Sequence, residues 1–361
     1  MATGSKKIIL AGGGTAGHIE PALAVAVELQ KINPALQCEF IGTKTGLENA
    51  LVPSRGFPLK VIPKVALPRK LSLSIFKWPF ALIGSVFTSI RIIKDASVVI
   101  GFGGYVAASA YLAAVVLRIP IVIHEANAKP GWANRLGRLF AKIVTVNFGS
   151  VQRKWPESIS TGMPLRDDIV AVSQLRPSEL AELRNSQAKE WGLSPDKPII
   201  AVFGGSLGSE RINKVVSEYL SSQKYPIQIA HAVGMHNTLP IARTGYFPTQ
   251  YFHNIARVYA AADIVICRSG AVTCAELAVV NRYAILIPLP IGNGEQEANA
   301  DELMAKNSAT MIRNSEFTAD WLGKNIESEI AKSKAYSSTA VTVKIKETAK
   351  DIAKLALSVS K

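Results

Sequence analysis

Cysteine is scarce: Cys38, Cys267 and Cys274 are the three in 361 residues, with no C-x-x-C spacing and no disulfide framework, which fits a reducing, cytoplasmic compartment. No G-x-x-x-x-G-K-[ST] phosphate loop occurs, so ATP hydrolysis has no support. Asp-x-Asp is also missing, and with it a ready carboxylate pair for a divalent metal. Lys6 and Lys7 precede only a short apolar run before Gly12, which reads against a signal peptide. Charge is missing altogether from residues 96 to 117, a stretch of 22 positions and thus of transmembrane length. Its interior Gly101-Phe102-Gly103-Gly104, and the change from Val/Ile-rich to Ala-rich sequence, read instead as strand, glycine turn and buried helix.

Acidic residues are absent from 49 to 94, where eight basic ones stand. The net charge of +14 is therefore lopsided: residues 1–165 hold 19 Lys/Arg against 7 Asp/Glu, net +12, and residues 166–361 hold 22 against 20, net +2. Lys70, Lys77, Arg91 and Lys94 interleave with Ile75, Phe76, Trp78 and Phe80. Such a segment suits an anionic, partly apolar surface such as a membrane; the alternative is a solvated basic face over a core helix. Nucleic acid is not expected as a partner, since no recognition motif accompanies the charge.

What is present is an alternation of apolar β-branched runs with Ala/Leu-rich periodic stretches. "KKIILA", "CEFIG", "SVVIGF", "IPIVIHE" and "KIVTVN" read as strands of βαβ units, hence a parallel doubly wound sheet. The pattern restarts after "STGMPLRDD", so two Rossmann-like domains are expected, 1–163 and 164–342, with a hinge at 162–168. Residues 96–113 align without gaps on 262–279, an offset of 166 that relates one domain to the other. A final helix, about 343–361, presents Ile345, Ile352 and Leu355; it can pack on either domain and is assigned to the first.

Three glycine turns follow strands: Gly12 to Gly17, Gly101 to Gly104, and Gly204 to Gly208. Glycine lets backbone N–H groups approach an anion, and the helix that follows adds favourable partial charge. The first turn matches the G-x-G-x-x-G fingerprint, but dinucleotide binding requires an acid at the end of the second strand, where Gly42 and Thr43 stand. Glu39 lies within that strand and Glu48 beyond its turn, so NAD is set aside. His18 opens the first helix, where an imidazole can take a proton from an attacking hydroxyl or simply cap the helix. In the second half, Glu276 can chelate vicinal hydroxyls or serve only as a carboxylate near a helix start.

The motifs "GGGTAGHIEPALAVA", "GFGGYVAASAYLAA", "HEANAKPGWANRL", "TGMPLR", "FGGSLGSERIN", "YAAADIVICRSGAVTCAELA" and "IPLPIGNGEQEANA", in this order over about residues 6–312, resemble the MurG family of glycosyltransferases. The resemblance implies GT-B architecture, two Rossmann-like domains facing a deep cleft. It further implies inverting, metal-independent and cofactor-free transfer of N-acetylglucosamine from UDP-N-acetylglucosamine to the C4 hydroxyl of the muramoyl sugar of lipid I, giving lipid II for peptidoglycan. His18 is then the base, with Glu125 as runner-up. Gly14, Thr15, Gly103, Gly104 and Tyr105 hold the acceptor diphosphate, while Ser206 and the helix start at Gly270 stabilise the departing UDP. Arg166 and the backbone at Phe252 meet uracil, Glu276 the ribose and Gln296 the sugar. Asn127, Thr15, Gly17 and His18 border the transferred residue. Two departures stand out: Ala16 replaces a glycine common in the family, and position 295 is Glu where some members carry Gln. The resemblance also implies a peripheral protein on the cytoplasmic face of the cell membrane, touching anionic phospholipid and other cell-wall synthesis and division proteins. Rival readings are a transferase with a soluble acceptor, an epimerase-like hydrolase of UDP-N-acetylglucosamine, and a non-catalytic membrane-surface protein.

Overall fold

The computed structural model describes residues 6–65, 74–222, 227–339 and 347–361, without the side chains of 74–78, 338 and 339. Contacts divide the chain into two compact units, Met1–Arg166 with Lys346–Lys361, and Asp167–Ile345.

In the first unit the order is β1 (Lys7–Gly12), α1 (Ala16–Ile32), β2 (Gln37–Gly42), α2 (Glu48–Ser54), β3 (Leu59–Val61), α3 (Ser74–Ile93), β4 (Ala96–Gly103) and α4 (Gly104–Val116). It continues with β5 (Ile121–Glu125), α5 (Trp132–Gly137), β6 (Ile143–Val146), α6 (Gly149–Gln152) and β7 (Ile159–Ser160). The seven strands lie in the order β3-β2-β1-β4-β5-β6-β7, all parallel. The charge-free stretch from 96 is thus β4, a glycine turn and α4, and among the described residues no helix is long and apolar enough to cross a membrane.

The second unit runs α7 (Asp167–Ser173), α8 (Pro177–Glu190), β8 (Ile199–Phe203), α9 (Glu210–Ser222), β9 (Gln228–Ala232), β10 (Tyr246–Thr249), α10 (Ile255–Ala261) and β11 (Ile264–Cys267). It closes with α11 (Ala271–Val279), β12 (Tyr283–Leu286), α12 (Glu295–Ala305), β13 (Ala309–Met311) and α13 (Ala319–Thr339). Its strands lie β10-β9-β8-β11-β12-β13, again all parallel. Counted within each unit, both sheets contain the order 3-2-1-4-5-6, and the aligned stretches beginning at 96 and 262 hold the fourth strand of each and the helix that follows it.

Both faces of these sheets are covered, and the middles of the central strands are continuous apolar runs for that reason. Ile8 and Leu10 point to one face, joining Phe40, Val98 and Ile100 under α1; Ile9 and Ala11 point to the other, joining Ile41, Val99 and Ile123 under α4. The last helix, α14 (Thr348–Val359), completes the first core, and Thr348 Oγ1 donates to Thr161 O at 2.7 Å. Its buried face is Ile352, Ala353 and Ala356, whose small side chains let it lie close to α1. Leu355 is only half-buried, and Ile345 lies outside the described residues.

α3 is amphipathic in an unusual sense. Its inner face carries the small polar residues Ser85 and Ser89, both fully buried, with Ser85 Oγ donating to Ser109 Oγ of α4 at 3.0 Å. Its outer face carries Phe80, Ile83 and Phe87, which are 75%, 52% and 62% exposed, followed by the exposed Arg91 and Lys94. Lys70 lies outside the described residues, as do the side chains of Ile75, Phe76, Lys77 and Trp78.

Packing around Tyr111 yields a stability prediction. The ring is fully buried where Cβ atoms on Gly101 and Gly137 would overlap it. Gly101→Ala should destabilise the chain by about 1–3 kcal/mol, read as a lowered urea midpoint. Gly131→Ala, whose added methyl meets nothing within 4 Å, is the control. Equal midpoints for the two variants would show that the Tyr111 packing yields without cost.

Candidate active site

In a parallel sheet whose order reverses, ligands collect beyond the carboxyl ends of the strands where the reversal occurs. In the first unit that point lies between β1 and β4, so the turns at Gly12–Thr15 and Gly103–Gly104 flank it. Their geometry demands glycine: Gly14, Gly103 and Gly104 have φ of +88°, +97° and +78°. A Cβ on Gly12 would sit 2.8 Å from His18 O. The amide of Gly14, a residue expected in the anion-binding turn, donates to Glu48 Oε2 at 3.1 Å.

His18 stands in the first turn of α1, partly exposed. Its Nδ1 lies 3.2 Å from Gly13 O and 3.4 Å from Thr15 Oγ1. A carbonyl only accepts, so the Gly13 contact assigns the proton to Nδ1 and leaves Nε2 with a free lone pair. Nε2 lies against the second turn, 3.3 Å from where a Cβ of Gly103 would be. Although the ring keeps some exposure, the protein around it desolvates the imidazolium, and its pKa falls below the ordinary value of 6.5; the Gly13 and Glu48 interactions oppose the shift without cancelling it. At neutral pH His18 is therefore a neutral base.

Glu125, at the end of β5, is differently placed. Its Oε1 accepts from the Asn127 amide at 2.9 Å and its Oε2 from Gly131 N at 3.1 Å and Asn134 Nδ2 at 3.0 Å. Burial raises its pKa and these bonds pull it back. The carboxylate shapes the loop that presents Asn127, and its lone pairs are engaged. Asn134 is held in turn by Tyr111, whose hydroxyl donates to Asn134 Oδ1 at 2.8 Å. Tyr105 is half-buried at the start of α4, its hydroxyl 3.5 Å from Thr43 Oγ1. Arg166, the last residue of the first unit, has Nη1 3.7 Å from Glu20 Oε1.

In the second unit the order reverses between β8 and β11. The turn after β8 carries Gly205 at φ +95° and Gly208 at φ +78°, with Gly208 N donating to Gly205 O at 2.9 Å and Ser206 partly exposed between them. The turn after β11 leads through Arg268 and Ser269 to Gly270, the N-cap of α11. Arg268 ties three loops together: Nη2 donates to Ser209 Oγ at 2.7 Å, and Nη1 to Ile287 O at 3.0 Å, Pro288 O at 3.2 Å and Asn314 Oδ1 at 2.8 Å. Glu276 is buried on α11, its Oε2 accepting from the Tyr259 hydroxyl at 2.8 Å. Phe252 packs against Trp191, ring centroids 5.9 Å apart. Gln296 Oε1 accepts from Leu289 N at 3.0 Å, which leaves the amide nitrogen to donate. Glu295 bends back over its own turn, accepting from Asn293 N at 3.2 Å.

The glycosyltransferase family 28 N-terminal domain matches residues 8–146, and the family's C-terminal domain matches residues 199–356. A Streptomyces coelicolor protein named UDP-N-acetylglucosamine--N-acetylmuramyl-(pentapeptide) pyrophosphoryl-undecaprenol N-acetylglucosamine transferase is 42% identical over 327 residues, 88% of each chain. The crystal structure of Acinetobacter baumannii MurG superposes with a TM-score of 0.71 at 27% identity, covering 98% of this chain and 99% of that one. The chain belongs to the MurG family of glycosyltransferases. UDP-N-acetylglucosamine 2-epimerase from Neisseria meningitidis, bound to UDP-N-acetylglucosamine, shares the fold alone: TM-score 0.63 at 13% identity, covering 98% of this chain and 99% of that one.

Within each unit of this MurG-family chain, the residues singled out from sequence gather on the strand-end loops. Thr15, Gly17, His18, Gly103, Gly104 and Tyr105 lie in the turns after β1 and β4, and Glu125 and Asn127 at the end of β5. Ser206, Gly270 and Gln296 lie in the turns or helix starts after β8, β11 and β12, with Glu276 two turns into α11. Sequence reasoning missed the work of Glu48, Asn134, Tyr111 and Ser209; Ser209 and Glu48 stand close to glycines Gly208 and Gly46, whereas Tyr111 and Asn134 carry no such signal.

Arg268 generates a prediction. Lys cannot reproduce a planar fork shared among four acceptors, so Arg268→Lys should destabilise the chain by about 1–3 kcal/mol. Calorimetry reads this as a lower Tm; a shift below ~1 °C would mean that the loops hold one another without it.

Proposed function

We propose that this chain transfers N-acetylglucosamine from UDP-N-acetylglucosamine to the C4 hydroxyl of the muramoyl sugar of lipid I, with inversion, forming lipid II for peptidoglycan. The observation that carries the reading is the His18 imidazole, its Nδ1 proton anchored on Gly13 O and its Nε2 lone pair free beside the Gly103 turn. Acceptor O4–H donates to Nε2. As O4 forms its bond to the anomeric carbon the proton passes to Nε2, and the C1–O pair leaves with UDP on the opposite face. Gly13 O then stabilises the imidazolium through Nδ1–H, and Glu125 serves by shaping the Asn127 loop.

The other roles follow the family motifs. Thr15, Gly103, Gly104 and Tyr105 meet the acceptor diphosphate. Ser206 and the α11 start at Gly270 supply dipoles to the leaving diphosphate, the charge stabilisation that a metal gives elsewhere. Glu276 accepts from the ribose hydroxyls, Gln296 donates to the sugar, Asn127, Gly17 and Thr15 border it, and Arg166 and the Phe252 backbone meet uracil. Label passing from UDP-N-acetylglucosamine into a lipid I analogue tests the reaction. UDP released at full rate without acceptor would mark a hydrolase or epimerase instead.

Losing a general base costs about 10²–10⁴-fold, so His18→Ala should lower kcat by that order with the donor KM nearly kept. Because the neutral imidazole is the active form and its pKa is lowered, the wild-type acid limb should lie below pH 6.5. A loss confined to KM, or an acid limb above that value, would make His18 a binding residue.

Lipid I stays in the bilayer, and the first unit docks there, on the cytoplasmic face, through α3. A helix that buries serines and turns Phe80, Ile83 and Phe87 outward above Arg91 and Lys94 supports this reading. Each Lys or Arg near an anionic surface contributes about 1 kcal/mol, so attachment is reversible and weakens with salt. Changing Lys70, Lys77, Arg91 and Lys94 to Glu should abolish co-sedimentation with anionic vesicles and leave UDP binding intact. Unchanged sedimentation of that variant would place docking elsewhere.

A further inference from the structure

Glu48 is a charged group in an unexpected place: 0% exposed, and one of its oxygens bonded to the loop proposed to meet an anion. It is the first residue of α2, and its side chain turns back toward the sheet. Oε1 accepts from Thr43 N at 2.8 Å and Thr43 Oγ1 at 3.0 Å, while Oε2 accepts from Gly14 N at 3.1 Å. The carboxylate thus ties the end of β2 to the turn after β1. Three glycines make room for it: a Cβ on Gly42 or Gly46 would overlap the side chain, and one on Gly13 would lie 3.0 Å from Oε1. Gly13 is also the residue whose carbonyl holds His18 Nδ1. The spacing Gly42-Thr43-x-x-Gly46-x-Glu48 is therefore a cradle, and what it grips is the segment Gly13-Gly14.

We propose that Glu48 is a positioning residue of the transfer reaction: its buried carboxylate clamps the Gly13-Gly14 turn to the end of β2, and so holds the carbonyl that orients His18. The inference rests on the role proposed for His18. With Oε2 on the Gly14 amide, the turn cannot rotate that N–H outward, and the Gly13 carbonyl stays pointed at Nδ1. Glu48 also favours the imidazolium by its charge, which partly offsets the desolvation of the ring. The ring's other surroundings are less polarising. The β4 turn offers only glycine, α4 the phenol Tyr105 against Gly14, and α5 the neutral Asn134, behind which Glu125 accepts its four donors. Glu20 lies two residues along α1, paired with arginine. Among the described residues Glu48 is the charge whose field registers on His18.

Glu48→Gln separates the clamp from bulk. A carboxamide can accept from Thr43 with its oxygen, but its NH₂ then confronts the Gly14 N–H, donor against donor. Three readings are expected on the full chain. Amide exchange at Gly14, protected in the wild type, becomes fast. The His18 ring titration, followed by NMR, and the acid limb of kcat/KM both move to lower pH because the charge favouring the imidazolium is gone. kcat falls by about 10- to 100-fold, the scale of a slightly misplaced catalytic group, with the donor KM within about threefold. A protected Gly14 amide, an unmoved His18 titration and wild-type kcat would overturn the proposal.

If Glu48→Gln does not fold, Glu48→Asp takes its place. Asp keeps the charge but draws the carboxylate back from Gly14, so fast Gly14 exchange and lowered kcat support the clamp, and a protected amide with wild-type kcat sinks it. The exchange and titration readings need no substrate. A wild-type protein that transfers no sugar would therefore overturn the proposed reaction, while those two readings still decide the clamp.

Discussion

All-parallel strand pairing is the constraint on which the rest depends. In a parallel sheet every strand delivers its carboxyl end, and every following helix its N-terminus, to the same edge. Both units reverse strand order beside their first strand, at β1/β4 and β8/β11, which separates two consecutive strand-end loops and leaves room for a ligand. The glycine turns, His18, Ser206, Gly270 and Gln296 all lie on those edges, where this connectivity brings the strand-end loops together. Both sheet faces are meanwhile sealed by helices, so chemistry is confined to the edges and the faces are left to packing.

Loops that must stay bare cannot be stiffened by apolar packing, and buried carboxylates do it here. Glu48, Glu125 and Glu276 are each nearly inaccessible, and each accepts from groups in the loops or helices around it. Hydrogen bonds to a charged acceptor contribute about 1.5–3 kcal/mol apiece, which offsets the penalty of burying a carboxylate only when its lone pairs are filled. Glu125 and Glu48 meet that condition with four and three donors. A carboxylate so held is a poor proton acceptor. His18, by contrast, has one nitrogen anchored on Gly13 O and keeps the lone pair of the other.

How far the sequence was legible follows from the same physics. The central strands announced themselves, since burial on both faces makes them continuous apolar runs. β3, β7, β10 and β13 did not: they are two to four residues long at or near the sheet edges, and β10 contains Pro248, which an edge strand tolerates. The glycine turns and His18 were legible because function there is written in residue type at fixed spacing. Glu48 was visible but read only as a ribose ligand in the wrong place; its use as a clamp depends on three glycines whose convergence is spatial. α14 shows a related limit, because a long apolar residue signals a helical face more loudly than alanine, and yet Ala353 and Ala356 are the residues that allow close approach to α1.

The two halves of the charge distribution acquire separate meanings in this fold. A chain with +12 in one half would destabilise that half by self-repulsion if the charges were compact, and in the acid-free segment the described Arg91 and Lys94 stand exposed at the end of α3, close in sequence to the exposed Phe87. That same helix packs inward through the buried Ser85, Ser89 and Ile93, with Val86, Ile90 and Ile92 against the core, while Ser85 forms a polar contact with Ser109 of α4. Exposed Phe80, Ile83 and Phe87 lower the solubility of an isolated domain and gain stabilisation only where water can be displaced from them. The described surface of α3 thus sets exposed apolar side chains beside basic ones, and acidic residues are absent from the segment that carries it.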